Sequence, residues 1–212
     1  NAWHYTWSVF HDVEGLKEAM GGSEAFTAML DSVFVVPPVY DDSYYGFRIH
    51  EITEMQVANM GNYAHGNQPA QHLLYLYDWT DTPWKGQKHI REVMDRLYSA
   101  APDGYCGDED NGQTSAWYIF SALGFYPVCP ASDEYAIGTP YFPHARILLE
   151  NGKTLDITAR NARKGSSSLD CYIGKIQVNG REYKSNFLNY SDLISGATIE
   201  YTMVDTPEQG KN

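Results

Sequence analysis

The sequence predicts a mainly α-helical protein with a β tail, and three observations lead to this fold class. Up to about Pro140, apolar residues recur at helical spacing between capping residues and helix stops. After Pro140 the period changes to one typical of strands. Two Asn-Gly pairs, at 151–152 and 179–180, are hairpin-turn signals in this second part. The predicted units are residues 1–140, which are helical, and residues 141–212, a small antiparallel β region.

Caps and stops place the first helices. Asp12 can cap a short helix that ends before Gly21, and Ser23 can cap the next one. Pro37 and Pro38 end that second helix because proline lacks the backbone donor and restricts the residue before it. Four further helices are predicted, at about 50–60, 69–79, 83–98 and 113–123, the last closed by Gly124.

Long, polar, aromatic-rich loops join these helices, whereas a plain helical bundle prefers short connections. Such loops commonly carry binding residues. The predicted strands contain no catalytic constellation, so we interpret the β region as a packing module. These strands are 146–149, 155–158, 173–178 and 198–204, with an exposed loop at 160–168.

Composition narrows the function. The net charge of -12 argues against a nucleic-acid partner, since phosphate neutralisation needs clustered Lys and Arg. No apolar run is long enough to span a bilayer, so no membrane partner is expected. The 17 Tyr, 5 Trp and 8 Phe are compatible with carbohydrate binding, although most aromatic residues fill cores. The three cysteines, Cys106, Cys129 and Cys171, predict neither a disulfide framework nor a zinc site.

The segment from Gly107 to Gln113, which we call the acidic loop, is the most informative part of the chain. Three consecutive carboxylates, Asp108, Glu109 and Asp110, lie between glycines and directly before a predicted helix. Clustered carboxylates attract cations and separate each other's pKa values, as acid/base and metal sites require. A solvated acidic turn is the alternative interpretation.

Five motifs in order resemble glycoside hydrolase family 92, the calcium-dependent, inverting exo-α-mannosidases. They are Asn1-Ala2-Trp3-His4-Tyr5-Thr6-Trp7, His11-Asp12-Val13-Glu14-Gly15-Leu16, Gly61-Asn62-Tyr63-Ala64-His65-Gly66-Asn67-Gln68-Pro69, the acidic loop, and Ser115-Ala116-Trp117-Tyr118 with Gly124-Phe125-Tyr126-Pro127. The resemblance implies the C-terminal part of an α/α barrel of six helical hairpins. The N-terminal β-sandwich and the early barrel segments of the same protein would be further partners.

The resemblance also implies the chemistry. Asp110 would be the general base that activates water, with Asp108 as its partner or alternate, and Glu109 would have a structural role. The general acid would lie two residues before Asn1, so the isolated fragment is expected to be inactive. The first residues read as the middle of a longer protein.

Calcium (Ca²⁺) and a mannose-containing glycan are the implied ligands. Candidate calcium ligands are Asn67, Gln68 and Asp110 because hard cations prefer oxygen donors. His50 and Glu51 resemble a pair that contacts the sugar on the leaving-group side and is associated with α-1,2 linkages. The same resemblance implies that Trp3, Tyr5 and His65 line the mannose pocket.

Two other functions stay open from the residues alone. One is a carbohydrate-binding or scaffold module without turnover, and the other is an α/α-barrel glycosidase that acts on glucosides. The expected location is bacterial and secreted, on the surface or in the periplasm, with the cytoplasm as an alternative.

Overall fold

The computed structural model describes residues 2–130, 132–162 and 172–207 of the chain. Its helices are α1 (Ala2–Tyr5), α2 (Val13–Ala19), α3 (Ser23–Val35), α4 (His50–Ala58), α5 (Pro83–Arg96), α6 (Gln113–Leu123) and α7 (Tyr190–Ile194), with a 3₁₀ helix at Gln68–Trp79. Its strands are β1 (Phe125–Tyr126), β2 (Glu134–Ile137), β3 (His144–Leu148), β4 (Thr154–Arg160), β5 (Tyr172–Val178), β6 (Arg181–Tyr183), β7 (Phe187–Asn189) and β8 (Ala197–Val204).

The predicted helices are confirmed, with two corrections of detail. The Asp12 carboxylate accepts a hydrogen bond from the Gly15 amide and caps α2, as its sequence position predicts. Ser23 is the first residue of α3 rather than its cap, because Gly22 occupies the cap position. The segment at 68–79 is a 3₁₀ helix, buried at every position from Ala70 to Asp78.

The β region is mixed rather than antiparallel, which corrects the prediction. The five-stranded sheet has the order β3-β4-β8-β5-β6, and β4 pairs with β8 in parallel. The hairpin signals predict only local antiparallel pairs, which are β3–β4 and β5–β6. Strand β8 reaches β4 after β7 and α7, and this return of the chain sets its direction.

Strands also begin before Pro140. The short strands β1 and β2 pair with each other, and β2 also pairs with β7, in a three-stranded sheet next to the helical part. Cys106 and Cys129 are free cysteines. Cys171 and most of the predicted loop at 160–168 lie outside the described residues.

Two hydrophobic cores lie side by side. One fills the helical part, and the other lies under the five-stranded sheet; Phe120 of α6 packs against both. Hydrogen bonds join the two parts: the Gln87 side-chain oxygen accepts from the Ile173 amide at 2.9 Å, and the Asn186 amide donates to the Asp78 carbonyl at 2.9 Å. In the described part of the chain, no helix has the length and apolarity needed to cross a membrane.

Candidate active site

The acidic loop has an unusual backbone at its C-terminal end. Asp110, Asn111 and Gly112 have φ values of 51°, 58° and 98°, so three consecutive residues are left-handed. Asp and Asn tolerate this region better than other residues with side chains, yet two in succession are uncommon. Backbone of this kind often occurs at functional sites. The predicted base therefore lies on a conformationally special turn.

Glu109 caps α6. One of its carboxylate oxygens accepts from the Gly112 amide at 2.7 Å and the other from the Ser115 amide at 3.2 Å. The side-chain and backbone hydrogen bonds from Ser115, with that from Gly112, lower the pKa of Glu109. This agrees with the structural role expected for Glu109.

The same contacts determine the surroundings of Asp110. Asp110 also lies near the start of α6, but it is Glu109 that accepts hydrogen bonds from the amides there. Asp110 is exposed, and its side chain makes no hydrogen bond or ion pair with any described residue. Its carboxylate is therefore free to bind water or an ion.

Polar residues on the core side of the acidic loop hold it by hydrogen bonds. The Asp108 carbonyl accepts hydrogen bonds from the Thr114 hydroxyl at 3.0 Å and from the Gln68 amide at 2.7 Å. The Gln71 amide donates in turn to the Thr114 hydroxyl at 3.1 Å. Thr114 and Gln71 are fully buried. The sequence prediction missed both, although Thr114 directly follows the loop.

Two glycines bring the predicted ligand segment against the acidic loop. A Cβ atom added to Gly107 would lie 2.6 Å from the Cα atom of Gly66, which is too close for any side chain. The loops therefore meet backbone to backbone. This contact brings the segment that carries Asn67 and Gln68 next to the acidic loop.

The first turn of α4 completes the cluster. The ring of His50 has Nδ1 at 3.0 Å from a Glu54 oxygen, and Nε2 at 3.6 Å from Glu51 and 3.9 Å from Asp108. The hydrogen bond with Glu54, followed by the charge of Glu51, raises the pKa of His50. Glu54 is a site residue that the prediction missed. Its spacing of one helical turn from His50 could have revealed it.

His65 lies in the core of the helical part. It is 1% exposed, and its ring nitrogens hydrogen-bond to the hydroxyls of Tyr63 at 2.6 Å and Tyr98 at 2.7 Å. Burial lowers the pKa of His65 to about 3, so the ring is neutral. Both ring nitrogens are thus engaged by tyrosine hydroxyls, and the substrate contact of His65 stays a prediction.

Trp3 and Tyr5 lie on α1. Trp3 packs against the helical core, and Tyr5 is exposed. Within the described ranges, no hydrogen bond, ion pair or ring contact joins either residue to the acidic loop. These contacts do not test the predicted pocket role of Trp3 and Tyr5. The other predicted residues that the structure brings together are Asp108, Gln68, His50 and Glu51.

The predicted calcium ligands fit a hard cation. Asn67, Gln68 and Asp110 all carry side-chain oxygens that accept no hydrogen bond from any residue the structure describes. Carboxylate and amide oxygens are the donors that calcium prefers. No group of three or more His, Cys, Asp or Glu residues in the described ranges could hold a metal. Amide or backbone oxygens would therefore have to contribute to the coordination.

Comparison with known proteins decides the family. Residues 1–205 match the family model for the glycosyl hydrolase family 92 catalytic domain. The chain belongs to glycoside hydrolase family 92. The resemblance carried by the five sequence motifs is thereby confirmed, and the acidic loop lies within the matched region.

Solved structures of this family share the fold. An inverting mannosidase of family GH92 from Bacteroides thetaiotaomicron is 52% identical, with a TM-score of 0.81, and the match covers 100% of this chain and 28% of that chain. A GH92 α-mannosidase from the same species is 36% identical, with a TM-score of 0.82, over 96% of this chain and 24% of its own.

A curated relative is more distant. It is described as an uncharacterized secreted glycosidase of Arthroderma benhamiae, and it is 25% identical over 202 residues. These cover 95% of this chain and 23% of the relative. The chain thus spans about a quarter of the length of the relatives it matches.

Proposed function

We propose that the full-length protein is an inverting exo-α-mannosidase that releases terminal non-reducing mannose. The observation that carries the proposal is the exposed Asp110 carboxylate on its left-handed turn, which has no partner among the described residues, in a chain of family 92. The 52% identity to an inverting mannosidase supports the choice of substrate and of stereochemistry.

In the proposed reaction, Asp110 takes a proton from water as the water oxygen attacks the anomeric carbon. The bond from that carbon to the leaving oxygen breaks, and a second carboxylic acid donates its proton to the leaving oxygen. Inverting enzymes hold these two carboxyl groups about 6.5–9.5 Å apart to leave room for the water. We propose that the acid lies two residues before Asn1, and that Asp108 orients the water or shares the role of base.

The α4 cluster would bind the leaving-group side of the substrate. His50 Nε2 and the Glu51 carboxylate are side by side at 3.6 Å and offer a donor and an acceptor for sugar hydroxyls. Together they would favour a linkage that places a second sugar against α4. We propose an α-1,2-linked mannoside as that substrate.

Asn67, Gln68 and Asp110 would hold the calcium ion expected in this family. When bound, calcium supplies positive charge that binds neighbouring sugar hydroxyls and favours distortion toward the oxocarbenium-like transition state. The contact of Gly66 with Gly107, and the hydrogen bond from Gln68 to the Asp108 carbonyl, keep these ligand segments together.

The rest of the protein would complete the barrel. Apolar side chains on the described helices are exposed, among them Val35 at 75% and Val57 at 80%. Large exposed apolar patches commonly mark interfaces. We propose that early barrel helices and an N-terminal β-sandwich cover these faces. We also propose that the chain divides near residue 140 into the end of the barrel, residues 1–140, and a β region, residues 141–212, that packs on it. The secreted relative supports an extracytoplasmic location.

Proton NMR of the full-length protein with an aryl α-mannoside tests the function. We expect β-mannose to appear first and to mutarotate later, since direct displacement by water inverts the anomeric carbon. α-Mannose as the first product would contradict inversion. Binding of the mannoside without hydrolysis would instead favour a carbohydrate-binding module.

Calcium removal provides a separate prediction. Treatment of the full-length enzyme with a chelator should lower kcat/KM for the mannoside by about 100-fold or more, because a bound cation contributes several kcal/mol to transition-state stabilisation. Added calcium should restore the rate. Undiminished activity in protein shown to be calcium-free by elemental analysis would refute this prediction and the ligand set together.

A further inference from the structure

Glu54 links α4 to the Gly66 segment and to the acidic loop. It lies one helical turn after His50, and one of its carboxylate oxygens is hydrogen-bonded to His50 Nδ1 at 3.0 Å. The other oxygen, Oε2, is buried and has no hydrogen-bond partner among the described residues. A buried, unpartnered carboxylate oxygen is costly, so simple packing does not account for this residue.

The free oxygen of Glu54 lies at the contact between the two loops. A Cβ atom on Gly107 would come within 2.8 Å of Oε2, and a Cβ atom on Gly66 within 3.0 Å. Glycine at both positions therefore makes room for the Glu54 carboxylate as well as for the facing backbone. The side chain fills the corner where α4, the Gly66 segment and the acidic loop meet.

The hydrogen bond with Glu54 also determines which ring nitrogen of His50 is directed toward the acidic loop. With Nδ1 engaged, Nε2 points to Glu51 at 3.6 Å and to Asp108 at 3.9 Å. The His50 side chain is 60% exposed, and exposed ion pairs of this length restrain a ring only weakly. The less exposed Glu54 is the partner able to fix the ring.

We propose that Glu54 is a positioning residue that orients His50 between Glu51 and the acidic loop. This inference rests on the proposed function, in which His50 and Glu51 bind the leaving-group sugar. Glu54 itself would not touch substrate. It would act by holding the imidazole in the orientation that presents Nε2.

A double-mutant cycle in the full-length protein tests this role. Glu54→Met keeps the side-chain length but removes the hydrogen bond. We expect it to lower kcat/KM for an α-1,2-linked mannose disaccharide about tenfold, as loss of one charge-assisted hydrogen bond predicts. The loss should appear as a raised KM. Glu54→Gln, which can still hydrogen-bond to Nδ1, should recover most of it.

The His50→Ala background separates positioning from general structural damage. There, Glu54→Met should cost less than about twofold, since both changes remove the same contact. An equal tenfold loss in that background would overturn the proposal. Glu24→Met is the matched control, because Glu24 is an exposed helical glutamate on α3, and it should leave KM unchanged.

A crystal structure of the full-length Glu54→Met variant gives a readout that does not depend on turnover. The His50 ring should rotate away from Asp108. An unmoved ring would overturn the positioning role even in an active enzyme. The wild-type protein could instead prove inactive on the mannoside while the His50 ring still rotates in the Glu54→Met variant. That outcome would contradict the proposed function and leave the positioning role of Glu54 standing.

Discussion

Asp110→Asn in the full-length protein should lower kcat for mannoside hydrolysis about 10³-fold, within the range found for loss of a general base. The amide has nearly the same shape, so the left-handed turn from Asp110 to Gly112 should persist. The side-chain amide cannot, however, accept the proton of the attacking water. Steady-state kinetics with an aryl α-mannoside measure the effect, and KM should change much less than kcat.

Asp103→Asn is the matched control for this change. Asp103 is an exposed aspartate in the loop that precedes the acidic loop, and it has no assigned role in the site. Its substitution should leave kcat within about twofold of wild type, as expected for a surface change away from the site. If Asp110→Asn behaved like the control, the assignment of the base would be wrong, whatever the protein's activity.

Trp117→Ala should cause a large loss of stability, about 3–5 kcal/mol, as is usual for removal of a fully buried aromatic side chain. Its indole nitrogen donates to the Gln71 carbonyl at 3.0 Å, and its ring lies 4.3 Å from that of His65 and 5.9 Å from that of Tyr98. The cavity would open directly beneath Thr114 and the acidic loop. The measurement is urea unfolding of the full-length protein, in which the midpoint of the transition of the helical part reports the change in stability.

Ile119→Ala on the same helix provides the comparison. Ile119 is 59% exposed among the described residues, so its truncation should cost well under 1 kcal/mol. A similar loss from both substitutions would mean that another part of the full-length protein buries Ile119. A negligible loss from Trp117→Ala would show that the core around α6 does not support the site as inferred.

Much of the local structure could be predicted from the sequence. The α6 helix begins at Gln113 and ends at Leu123, because Gly124 adopts a left-handed φ of 98° as a helix stop requires. The hairpins at 151–152 and 179–180 also follow from two adjacent residues. The parallel pairing of β4 with β8 could not be predicted, because it depends on where the chain returns after β7 and α7.

The candidate site divides in the same way. Its acidic loop was evident because consecutive carboxylates between glycines are a local pattern. For His65, the motif did not reveal burial: the residue beside Gly66 points into the core and hydrogen-bonds to two tyrosines. Glu54 was missed because its importance comes from Gly66 and Gly107, which are distant from it in the chain.

By itself, the sequence determined the helix limits, the acidic loop and the family, since caps, turns and motifs depend on near neighbours. Only the tertiary structure decided which carboxylate is free. Glu109 accepts hydrogen bonds from the amides of α6, and Asp110 has no partner in the described part of the chain. The Gln68 amide reaches the Asp108 carbonyl from 40 residues away. Hydrogen bonds across such distances form only when the packed core brings their partners together.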